Sequence, residues 1–61
     1  MNITISENSY GKLVLRSKNP GFVNEFGGEL VVDKRFLFAT MFQISDYANN
    51  TLKDECTFDV E

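Results

Sequence analysis

Phe36-Leu37-Phe38-Ala39-Thr40-Met41-Phe42, in the middle of a 61-residue chain, decides how the rest must fold. It lies inside the longer stretch from Asp33 to Asn50, which admits two readings. As a strand, Phe36, Phe38, Phe42 and Ile44 share one face at period two. As a helix, Leu37, Met41, Ile44 and Ala48 form the inward stripe, with Asp33 as N-cap and Asn49 or Asn50 as the stop. Thr40 and Ile44 are the β-branched residues from Lys34 to Asn49, whereas Leu, Ala, Met and Gln favour helix. About sixteen residues is also long for a strand, so a helix over about 34–49 is expected.

The flanking sequence reads as strands. Met1 to Ser6 alternates with Ile3 and Ile5 on one face, and Lys12 to Ser17 alternates with Leu13 and Leu15. Glu7 to Gly11 is turn-like between them. In Asn19-Pro20-Gly21, proline presets φ at the second turn position and glycine accepts the positive φ of a type II turn. Phe22–Phe26 and Glu29–Val32 flank Gly27-Gly28, the signature of a two-residue hairpin. Glu55 to Glu61 alternates, with Cys56, Phe58 and Val60 inward. The expected fold is α+β: one domain over residues 1–61, a small antiparallel sheet of four to five strands with one helix across a face. A small all-β barrel is the alternative, since either covers an apolar sheet face.

Composition bounds the function. A chain this short buries only about 60% of its unfolded surface and keeps roughly 3–5 kcal/mol of net stability. With no His there is no Ser-His or Cys-His pair and no His-ligated zinc, and one Cys cannot close an intrachain disulfide. Asp54, Glu55 and Asp59 lack the loop spacing of a calcium site, and Gly27-Gly28 lacks the Lys and Ser/Thr of a phosphate loop. No catalytic residue, metal or cofactor is expected, and the chain is not expected to be an enzyme. There is no long apolar run and no basic leader, so a cytoplasmic protein off the membrane is expected. Cys56 reads as a structural thiol.

What remains is surface. The Phe36–Phe42 run is apolar nearly all round as a helix, and a chain of this size has no second core to cover the far side. Phe36, Leu37, Phe38, Met41, Phe42 and Ile44 are therefore the candidate partner interface, because aromatic residues and Met are enriched at such surfaces. Glu55, Thr57, Asp59 and Glu61 form an acidic face, read as a solvated strand face that discourages edge aggregation rather than as a phosphate mimic. Lys12, Arg16 and Lys18, with Tyr10 nearby, could touch phosphates, but three bases in a chain of net charge −3 point instead to cross-strand ion pairs. The C-terminal carboxylates are expected to supply them, placing the second and last strands side by side. Phe, Tyr, Met, Ile, Asn and Lys outnumber Gly, Ala, Arg and Pro, a bias toward AT-rich codons. These features together suggest a small acidic protein-binding module, for instance a phage or mobile-element inhibitor of a host enzyme or defence complex. The alternatives are a self-assembling homodimer subunit and, less favoured, a weak nucleic-acid binder.

Overall fold

The computed structural model describes residues 1–61. The chain forms β1 (Asn2–Glu7), β2 (Leu13–Ser17) and β3 (Gly28–Val32), then a 3₁₀ turn (Lys34–Phe36) that runs into α1 (Leu37–Tyr47). One π-helical turn (Ala48–Leu52) extends the helix, and β4 (Thr57–Val60) ends the fold. The four strands make one sheet in the order β3-β2-β1-β4, with no closure into a barrel. The helix is therefore real and spans the region the Leu37/Met41/Ile44/Ala48 stripe marks, but it does not stop at Asn49 or Asn50. Its last turn continues to Lys53, whose left-handed backbone ends it.

The sheet is mixed rather than antiparallel. β2 runs antiparallel to both β1 and β3, but β1 and β4 are parallel, with Ile3 opposite Phe58 and Ile5 opposite Val60. The cause is the helix. It carries the chain back along the sheet, so the strand that follows starts at the same end as β3 and runs in its direction.

Two further expectations fail. Phe22–Phe26 is a loop, not a strand, and β3 pairs with β2 instead. The tight turn lies at Glu25-Phe26, closed by reciprocal Asn24–Gly27 backbone bonds of 3.0 and 3.2 Å. The Asn24 side chain holds it by accepting the Phe26 N–H at 2.7 Å. Gly27 is needed for another reason. Its φ is +92°, and a Cβ there would sit 2.3 Å from the Ser17 carbonyl oxygen. By contrast, the Asn19-Pro20-Gly21 turn forms as expected, with Gly21 at φ +91° and the Phe22 N–H donating to the Asn19 carbonyl.

The second failure concerns strand neighbours. β1 lies between β2 and β4, so the second and last strands are not side by side.

Ile3, Ile5 and Leu15 are the buried centre, and Met1, Leu13, Phe22, Val32, Leu37, Met41, Ile44, Cys56 and Phe58 pack around them. Val60 falls on the same face by register but is exposed on the short edge strand. The core is thin: none of the six phenylalanines is buried. No helix is long and apolar enough to cross a membrane.

Candidate partner interface

The helix sorts the candidate interface into two faces. Leu37, Met41 and Ile44 turn inward onto Ile3, Ile5 and Leu15, and Ala48 is fully buried on the same stripe. These three are core residues here, not free surface. Phe38 and Phe42, one helical turn apart, lie on the flank and are 80% and 70% exposed. Phe36, at the junction of the 3₁₀ turn and α1, is 54% exposed. At roughly 200 Å² per side chain, the neighbouring Phe38 and Phe42 leave about 300 Å² of aromatic surface in water. That is the size of the largest apolar patch on a typical monomer, which is often functional.

Ion pairs to the β1–β2 hairpin fix the entry to this surface. The Asp33 carboxylate caps the 3₁₀ turn by accepting the Arg35 N–H at 3.0 Å and takes the Lys12 ammonium at 2.9 Å. The Arg35 amide first, then Lys12, holds the Asp33 carboxyl far below the usual carboxylate range. Arg35 Nε also reaches Asp33 at 3.2 Å, and its guanidinium lies 5.2 Å above the Phe36 ring. Lys34 meets Glu7 at 3.2 Å. Asp33 is legible in the sequence as a cap, but its reach to Lys12 is not, since nothing local links positions 12 and 33.

Of the three bases, Arg16 and Lys18 line one polar cleft, and Lys12 lies apart from it. Arg16 is bound to Glu29 of β3 and Lys12 to Asp33, which are cross-strand acids but not the C-terminal ones. Lys18 has no ion-pair partner, and Tyr10 stands 87% exposed in the β1–β2 turn. On the acidic side, Thr57 and Asp59 lie on the helix-free face of β4, Glu55 precedes that strand and Glu61 follows it, all exposed. Asp54, outside that row, takes the Met1 ammonium at 2.8 Å and lies below its ordinary range for that reason first, then through the Glu55 N–H. Cys56 is half-buried, its Sγ 3.9 Å from the Ile44 carbonyl oxygen.

The surface holds two shallow clefts. One, about 160 Å³, is lined by Met1, Phe22, Gln43, Ile44 and Tyr47. The other, about 280 Å³, is polar and lined by Asn2, Thr4, Arg16, Ser17, Lys18 and Asn19. Both fall below the roughly 300 Å³ at which small-molecule pockets begin. No three His, Cys, Asp or Glu side chains gather as a metal site would need. No protein-family model matches the chain, and neither a curated protein nor a solved structure does.

Proposed function

We propose that this protein is a non-enzymatic binding module whose Phe36, Phe38 and Phe42 surface anchors a protein partner. One observation carries the reading: a core this small leaves three phenylalanines of one short segment half to four-fifths exposed. Aromatic side chains in that state are the usual anchors of a protein interface. The mechanism is steric. Aromatic anchors seat in the partner, and the ions around them, Lys34 and Arg35 at one end and Asp46 at the other, select which partner seats.

The residue bias toward AT-rich codons supports a narrower form: a phage or mobile-element protein that occludes a host enzyme or defence complex in the cytoplasm. The test compares the tagged wild-type chain with a Phe38→Glu/Phe42→Glu variant in host lysate. A stoichiometric protein captured by the wild type and lost from a variant with an unchanged circular dichroism spectrum supports the reading. Equal capture by both would sink it.

A further inference from the structure

The two edges of the sheet are not equivalent. β4 is short and set among Glu55, Asp59 and Glu61, the charged flanking that discourages strand addition. β3 reads Gly28-Glu29-Leu30-Val31-Val32, has no Lys or Pro, carries one charge, Glu29, that Arg16 of β2 already pairs, and exposes Leu30 and Val31. Its free backbone groups can be assigned from the ladder. The Asn8 N–H donates to the Lys12 carbonyl, so the even-numbered residues of β2 bond toward β1. Leu13, Leu15 and Ser17 must then bond toward β3, to Val32, Leu30 and Gly28. The N–H and C=O groups of Glu29 and Val31 therefore point outward, and no other backbone or side-chain group in the chain bonds them.

The geometry points to a second copy of this chain as the occupant of that edge, paired antiparallel about a two-fold axis through Leu30. Outward groups at 29 and 31 allow three registers. Pairing Glu29 with Glu29 sets two carboxylates against each other, and pairing Val31 with Val31 sets Glu29 against Asp33. Only Glu29 against Val31 of the second copy avoids like charges. It satisfies both outward residues twice over and brings the two Leu30 side chains together on the helix-covered face. The result is one continuous sheet of eight strands with an isologous seam. This inference is independent of the aromatic surface: the dimer would display that surface twice.

Sedimentation or light scattering from micromolar to millimolar concentration tests it, with three single variants. Val31→Pro removes an outward N–H that β2 does not use, and proline is tolerated on such an edge, so the fold should persist. Its dimer should weaken at least tenfold. Val31→Glu places a carboxylate against Glu29 of the other copy and should weaken the dimer similarly, whereas Val31→Lys should preserve it. Loss of the dimer with both charges would mean a merely apolar contact and would overturn this register. A dimer indifferent to Val31→Pro and Val31→Glu places the seam elsewhere and overturns it too. So does a wild-type chain that stays monomeric at millimolar concentration, which leaves the edge to water or to an extended segment of another protein. If Val31→Pro alters the circular dichroism spectrum, the Glu and Lys pair decides.

Discussion

Arg16 and Glu29 face each other across the β2–β3 pair, and the guanidinium reaches one carboxylate oxygen through both Nε and Nη2. Both side chains are about half exposed, so the pair fixes register more than it stabilises. A double-mutant cycle with Arg16→Ala and Glu29→Ala, read by urea unfolding, should give a coupling of about 0.2–1 kcal/mol that shrinks in molar salt. A coupling above about 2 kcal/mol would mean the pair is far better shielded from water than its exposure indicates.

That pair also marks where the sequence could and could not be read. The alternation in β1 and β2 and the stripe of Leu37, Met41, Ile44 and Ala48 are local patterns, and each produced its element. Arg16 was legible as half of a cross-strand ion pair, but its partner was not, because no local pattern says that β1 separates β2 from β4. That order depends on where the helix sets the chain down. The Gly27-Gly28 reading failed differently. A glycine pair marks turns, and here Gly27 is needed instead for its close approach to the end of β2. Within the candidate interface, Phe36, Phe38 and Phe42 were legible as surplus aromatics. Leu37, Met41 and Ile44 joined them because an unbroken apolar run hides which flank faces inward until the helix is placed.

The exposed flank of α1 and the strand core beneath the helix should respond differently to substitution. Phe38→Glu/Phe42→Glu removes no packed contact from the core and should shift stability by no more than about 0.5 kcal/mol per site. Leu15→Ala empties a fully buried site and should cost about 2–5 kcal/mol, enough to unfold much of a domain with this little to spare. Thermal melts of the two variants check this, and a double variant that unfolds would place those phenylalanines in the core.

Gly27→Ala should be the most damaging small change outside the core. The added methyl meets the Ser17 carbonyl oxygen and the Lys18 backbone, neither of which can swing aside as a side chain would. With the positive φ, the expected loss is about 2–3 kcal/mol. An unchanged midpoint in urea would show that the loop at 18–27 shifts without penalty.

Acid should destabilise the fold through Asp33 and Asp54. Both carboxyls lie below their unfolded values, Asp33 through the Arg35 N–H and Lys12 and Asp54 through the terminal ammonium. A depressed carboxylate stabilises above its unfolded pKa, near 3.9, and loses that contribution as pH falls through the folded value. The melting temperature should therefore be flat from neutral pH to about 5 and fall below about 4. Asp33→Asn should lower it at neutral pH and flatten the acid limb. Identical acid limbs for wild type and variant would remove Asp33 from this account.

Lys53 ends the helix with φ 56° and ψ 44°, the single non-glycine residue in the left-handed region. Its N–H and that of Asp54 both return to the Ala48 carbonyl, so the conformation is set by the backbone bonds that close the π turn. A side chain there costs about 1–2 kcal/mol, and nothing repays it, since Lys53 is exposed and makes no ion pair. Lys53→Gly should relieve that cost. The freer unfolded chain takes back about 0.5–1 kcal/mol, which leaves a net gain of roughly 0.5–1 kcal/mol. In a domain of this size the gain should raise the melting temperature by several degrees, with Lys53→Asn in between because asparagine tolerates this conformation better than lysine. A melting temperature unchanged or lowered by glycine would mean that the lysine stem packs on the helix end and outweighs the backbone term.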